Sequence, residues 1–179
     1  MNKLILYFLI TIITLNGYTN DYILNNDSLK KDTTNFILPK NSIYMELFGS
    51  AWAGSINYER CLFAKSNYAI NGRVGFFTYP FYPSWLVIFP ILVNYQFNIK
   101  KITSFEIGAG QQFIPGLHLN EYNVNLIGNF GLRLIIRKNF LIKINFTPQL
   151  FYFNKKYYFI KDQNFIPWGG FSIGYSFGK

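Results

Sequence analysis

From residue 41 the chain falls into short stretches in which apolar and polar side chains take turns, separated by Gly, Pro, Asn, Ser and Lys. A period of two is that of an extended strand, whose successive side chains point to opposite faces. No stretch of useful length keeps the 3.6-residue period of an amphipathic helix. The pattern predicts eight strands, at roughly 42–50, 55–63, 67–78, 85–97, 102–113, 124–136, 140–152 and 164–177. The final stretch, "GGFSIGYSF", puts Phe171, Ile173, Tyr175 and Phe177 on one face and Gly170, Ser172, Gly174 and Ser176 on the other.

The connections alternate in length as well. "AKS" (64–66), "NIKK" (98–101) and "RKN" (137–139) are tight, whereas 79–84, 114–123 and 153–163 are longer; "AWAG" (51–54) is a short exception on the long-loop side. Short turns on one rim and longer loops on the other is the plan of an outer-membrane barrel, whose short turns face the periplasm. Lys65, Lys100, Lys101, Arg137 and Lys138 all fall at the tight turns.

The parity of the charges then assigns inside and outside. Following the apolar alternation, the lipid-facing positions include Ile43, Met45, Leu47, Ile56, Tyr58, Leu62, Val74, Val93, Tyr95, Phe105, Ile107, Phe130, Leu132, Ile144 and Phe146. Glu46, Glu59, Glu106, Arg73, Arg133 and Lys143 all take the opposite parity, so three acids and three bases point inward and are expected to form one internal belt. Arg60 alone breaks the pattern, near a rim where a long side chain snorkels to the headgroups. Pro90 and Pro148 lie within strands, where the missing N–H predicts a bulge or a strand end. The run "WLVIFPILV" does not alternate cleanly.

Composition agrees with an apolar exterior. Charged residues make up 14%, against about 25% in soluble domains, and aromatic residues reach 21%. An inverted barrel, greasy inside and wet outside, would carry too little charge for a soluble surface. The net charge of +9 forms no basic block or helical stripe, and no nucleic-acid-binding signature accompanies it, which argues against a nucleic-acid partner. At the start, "MNKLILYFLITIITLNGYTN" has the charged, apolar and polar order of a secretory signal peptide, so 1–19 is expected to be cleaved. The polar segment 20–40, with Asp21, Asp27 and Asp32, is expected to be a mobile periplasmic lead-in, and 41–179 the barrel. The only cysteine, Cys61, excludes an intramolecular disulfide.

The stretches "NSIYMELFG", "INYERCL", "GRVGFF", "FEIGAG", "FGLRLI", "INFTP" and "PWGGFSIGYSF" together resemble those of small eight-stranded OmpA/OmpX-like outer-membrane barrels, in particular those of Bacteroidota. The resemblance spans 41–177 and implies a signal-bearing surface protein inserted by the barrel-assembly machinery, with no agreed activity. Phe171, Ile173, Tyr175 and Phe177 resemble the aromatic insertion signal of such proteins, with Gly178 and Lys179 following as a departure.

The expected fold is therefore all-β, an eight-stranded antiparallel up-and-down transmembrane β-barrel with a filled polar interior, located in the bacterial outer membrane. Eight strands enclose a space that side chains fill, which argues against a general diffusion pore. The expected role is non-enzymatic, structural or surface-binding, through aromatic and basic extracellular positions: Tyr79, Phe81, Tyr82, Trp85, Lys155, Lys156, Tyr157 and Tyr158. Its partners would be outer-membrane lipids, lipopolysaccharide and an extracellular ligand. Two alternatives stand beside it. One is a narrow ion pore using the charge belt; the other is a lipid-modifying acyl hydrolase or transferase using His118, the only histidine, near Glu121 but with no serine close after it. No catalytic constellation, cofactor or metal site is expected.

Overall fold

The computed structural model describes residues 39–65, 67–81, 84–98, 102–115, 122–137, 139–151 and 165–178, so the expected signal peptide and nearly all of the lead-in lie outside the described residues. Its strands are β1 (Asn41–Phe48), β2 (Gly54–Lys65), β3 (Tyr68–Phe81), β4 (Ser84–Asn98), β5 (Thr103–Pro115), β6 (Tyr122–Ile136), β7 (Phe140–Phe146), β8 (Gln149–Phe151), β9 (Phe165–Ile166) and β10 (Gly169–Phe177). Segments β7 and β8 pair with β6 in one continuous register, and β9 and β10 continue each other in the same way against β8 and β7. Ten segments thus make eight barrel strands. Every pairing is antiparallel, and β1 pairs with β10 from Asn41↔Phe177 to Phe48↔Gly170, closing the sheet. Closure removes the unpaired edges that an open sheet would leave.

Alternation of side chains decides the two surfaces. On β1, Ser42, Tyr44 and Glu46 are buried while Ile43, Met45 and Leu47 are exposed; on β10, Ser172 and Ser176 are buried while Phe171, Ile173, Tyr175 and Phe177 are exposed. The described interior is dominated by Ser, Asn, Gln and charged residues, and the exterior by Ile, Leu, Val, Phe and Tyr. An apolar calyx is therefore not what this barrel encloses. Its interior is polar and its wall is greasy, the reverse of a soluble domain. Two small apolar clusters interrupt the polar lumen: Tyr44, Ile135 and Leu141 in the half nearer the short turns, and Ala51, Ile88 and Ile114 in the other half.

The two prolines behave differently from each other. No bulge occurs at Pro90: the β3–β4 register is the same on both sides of it, and only the Gly75 and Phe76 pairings are missing. At Pro148 the strand does break, between β7 and β8, again without a change of register. Both prolines are accommodated by a glycine across the sheet. A β-carbon at Gly75 would come within 2.7 Å of Pro90 Cγ, and one at Gly128 within 2.9 Å of Pro148 Cγ. The bulge lies instead at Leu62, between Cys61↔Asn71 and Phe63↔Ile70, and it leaves Leu62 and Phe63 both facing out. The non-alternating run around Pro90 also has a physical reason. Ile88 and Leu92 face inward, Ile88 within the cluster with Ala51 and Ile114, while Phe89 and Val93 face outward, so both faces are apolar there.

Candidate functional site

The six inward charges do not form one belt. They divide into two tiers joined through a tyrosine. In the lower tier, nearer the short turns, Arg133 on β6 pairs with both Glu59 on β2 and Glu106 on β5, the latter at 3.1 Å. Lys143 on β7 pairs with the same two acids, at 2.9 Å to Glu59 and 2.6 Å to Glu106. Arg133 Nη2 also donates to Ser42 Oγ at 2.8 Å, and that hydroxyl lies 2.9 Å from Ser176 Oγ. Two cations and two carboxylates thus cross-brace β2, β5, β6 and β7. Opposite walls of the barrel are held by charge pairs fully withdrawn from solvent.

The upper tier pairs Arg73 on β3 with Glu46 on β1. Arg73 Nε donates to Asn57 Oδ1 at 2.9 Å and its Nη2 to Ser50 Oγ at 2.7 Å. Ser50 Oγ and Ser55 Oγ donate to Glu46 Oε2, at 2.6 and 3.2 Å. Tyr44 connects the tiers. Its hydroxyl donates to Glu59 Oε2 at 3.3 Å, and its ring lies under both Lys143 Nζ, 4.8 Å from the centroid, and Arg73 Cζ, 5.4 Å away. Such placement adds quadrupole attraction to the ion pairs. Burying charge without partners is costly, and this density of partners offsets it.

Above the upper tier the β1–β2 connection departs from the expected short outer loop. Strand β1 ends at Phe48 rather than at residue 50, and Gly49–Ala51 forms a 3-10 turn that is buried throughout. The chain folds into the mouth of the barrel. The inward turn is held at its carbonyls: Gln149 Nε2 donates to Gly49 O at 3.1 Å, Gln112 Nε2 to Ser50 O at 2.9 Å, and Trp168 Nε1 to Trp52 O at 3.1 Å. Trp52 Nε1 in turn donates to Gln149 Oε1 at 2.6 Å. Phe48, Gly49 and Trp52 all take positive φ, at 60°, 80° and 64°. For Phe and Trp that conformation is strained and persists only where surrounding contacts impose it. A β-carbon at Gly49 would approach Glu46 Cδ to 2.6 Å, so glycine is required by both the φ and the space.

All six luminal residues singled out by parity, Glu46, Glu59, Arg73, Glu106, Arg133 and Lys143, lie in this network. Tyr44, Ser50, Gln112 and Gln149 were not singled out. Tyr44 carries the signal for it, since it shares the parity of Ser42 and Glu46, but its aromatic ring reads like one more lipid-facing side chain. Of the proposed surface positions, Tyr79 is exposed on β3. Phe81 and Trp85 belong to the β3–β4 ladder, through Phe81↔Ser84 and Pro80↔Trp85, and not to a long loop. The side chains of Phe81 and Trp85, and residues Tyr82, His118, Glu121, Lys155, Lys156, Tyr157 and Tyr158, lie outside the described residues. Among the described residues no group of His, Cys, Asp and Glu is arranged to hold a metal ion, and no helix is long and apolar enough to cross a membrane, which says nothing of crossing by strands.

No protein-family model and no curated protein matches the sequence. Solved structures do match the fold. The N-terminal β-barrel domain of OprF from Pseudomonas aeruginosa superposes with a TM-score of 0.51 at 17% identity, covering 78% of this chain and 99% of that one. Ail, the attachment invasion locus protein of Yersinia pestis, aligns with a TM-score of 0.44 at 13% identity, covering 79% of this chain and 100% of that one. At 17% identity the likeness to the OprF domain is one of fold alone, a closed β-barrel of outer-membrane type.

Proposed function

We propose that the protein is a non-enzymatic β-barrel of the bacterial outer membrane, exported by a cleaved leader at 1–19, with a structural or surface-binding role. The observation that carries this reading is the pairing of an apolar outer wall with a lumen filled by polar and ion-paired side chains, above which the turn Gly49–Ala51 is buried. An apolar exterior of this extent requires hydrocarbon around it. A lumen whose charges already satisfy one another has little to offer a passing ion. What remains for contact with the surroundings is the rim opposite the short turns, where Tyr79 is exposed and the aromatic and basic 153–163 segment connects β8 to β9.

The test has three readings. The full chain folded into lipid vesicles should show the heat-modifiable gel mobility of a closed barrel, and it should fractionate with the outer membrane in cells. In planar bilayers it should not conduct; a steady ion-selective current would favour the narrow pore instead. Deleting 153–163 should leave folding intact and abolish any binding of the cells to surfaces or soluble ligands. Recovery of the protein from the periplasm in soluble form would overturn the reading.

A further inference from the structure

We infer that the short-turn rim, together with the apolar groove that rises from it on the β4–β7 wall, docks an anionic glycerophospholipid of the inner leaflet; this rests on the membrane reading above. The first observation is an imbalance of charge. Among the described residues every acidic side chain, Glu46, Glu59 and Glu106, is inside the barrel and paired. The charges left outside are Lys40, Arg60, Lys65 and Arg137, all basic. They occupy one rim only: Lys40 precedes β1, Arg60 and Lys65 lie in the last turnward part of β2, and Arg137 follows β6. No described acid on the outer surface competes for them.

Aromatic side chains mark the same rim as an interface. Phe63, Tyr68, Tyr95 and Phe97 form a continuous row across β2, β3 and β4, with ring centroids 5.9, 5.5 and 5.2 Å apart. Rings of this kind settle at headgroup level. At Phe97 the row meets a surface groove of about 530 Å³ lined by Phe105, Ile107, Phe130, Leu132 and Ile144 among others. Phe97 and Phe105 pair with each other beside the β4–β5 turn, and Leu132, on β6, lies five residues before Arg137, which follows that strand. That separation is about 16 Å along an extended chain at ~3.3 Å per residue. A phosphate held at Arg137 would therefore leave an acyl chain lying along the groove. A zwitterionic lipid brings an amine to the same cations, whereas an anionic one brings none, so charge complementarity selects the anionic lipid.

The experiment uses the full chain folded into vesicles of equal parts phosphatidylcholine and phosphatidylglycerol, extracted gently and examined by native mass spectrometry. Phosphatidylglycerol should be retained in about tenfold excess, and the excess should shrink as salt is raised. Arg137→Gln should remove more of the preference than Lys40→Gln, because Lys40 precedes β1 on the far wall. Ile107→Trp, which fills the groove, should reduce lipid retention while keeping the headgroup preference. Equal retention of the two lipids by a barrel that floats with the vesicles overturns the inference and leaves the membrane reading standing. Failure to insert at all overturns both. Selective retention of added lipopolysaccharide in place of phosphatidylglycerol overturns the assignment to the inner leaflet.

Discussion

Gly75 stands across the sheet from Pro90, and a β-carbon on the glycine would meet the proline ring at 2.7 Å and Asn57 Oδ1 at 2.4 Å. The strand tolerates a proline because its neighbour supplies no side chain at that spot. Gly75→Ala should therefore destabilise the barrel by about 1–3 kcal/mol through overpacking, measured by urea unfolding in vesicles. Because the same Asn57 oxygen accepts from Arg73, the loss should be only partly recovered by adding Pro90→Ala. Full recovery would mean that the Asn57 contact contributes nothing.

Leu132 and Arg133 are neighbours on β6 that face opposite media. Arg133→Leu leaves Glu59 and Glu106 with Lys143 alone, an uncompensated buried charge costing about 3–5 kcal/mol. Adding Glu106→Gln should restore part of it, since the remaining pair Glu59 and Lys143 is again balanced. Leu132→Arg instead places a charge against hydrocarbon, at about 2–4 kcal/mol near the midplane. No acid-to-amide change inside should relieve that penalty. Unfolding of both singles and both pairings in vesicles separates the two cases.

If the barrel does not conduct, the mouth and the lower tier are two seals in series. Gly49→Val is incompatible with the φ of 80° and with the Glu46 carboxyl behind it, so it should expel the inward turn and make the 49–53 segment accessible to protease. Conductance in planar bilayers should nevertheless stay closed, because Glu59, Glu106, Arg133 and Lys143 still fill the lumen below. A current from this variant alone would show that the lower tier does not close the barrel.

Strand parity was legible because one face of every strand meets a different medium from the other, and a single charged residue on the wrong face is too costly to be common. That is why Glu46, Glu59, Arg73, Glu106, Arg133 and Lys143 could be read as luminal from position alone. The division into two tiers could not be read, because it depends on how far each strand is shifted against the next and on Tyr44 between them. Nor could the inward turn. "GSAWAG" looks like any short loop, and its burial follows from Gln112, Gln149 and Trp168, donors that come from two distant strands and a strand break. Pro90 misled for a related reason: a missing N–H is visible in the sequence, whereas the glycine that makes room for the ring is visible only once the register is known.

At the closing seam a folding role can be tested apart from an insertion role. Tyr175 faces outward between Ile43 of β1 and Phe140 of β7, and Phe177 faces outward beside Asn41. Neither side chain is a partner in the luminal ion pairs, which belong to Glu46, Glu59, Arg73, Glu106, Arg133 and Lys143. The double change Tyr175→Ser and Phe177→Ser keeps the backbone ladder of β10 while deleting most of its aromatic outer face. Each large side chain that loses contact with lipid forgoes about 1.5–3 kcal/mol of burial. If the terminal face acts only through stability, the double variant should unfold at lower urea yet reach the membrane in normal amount. If it acts as the insertion signal, the variant should accumulate in the periplasm of cells while still folding spontaneously into vesicles. The expected outcome is the second, read by comparing fractionation in cells with heat-modifiable mobility after folding in vitro. Normal assembly in cells would remove the insertion role from Tyr175 and Phe177.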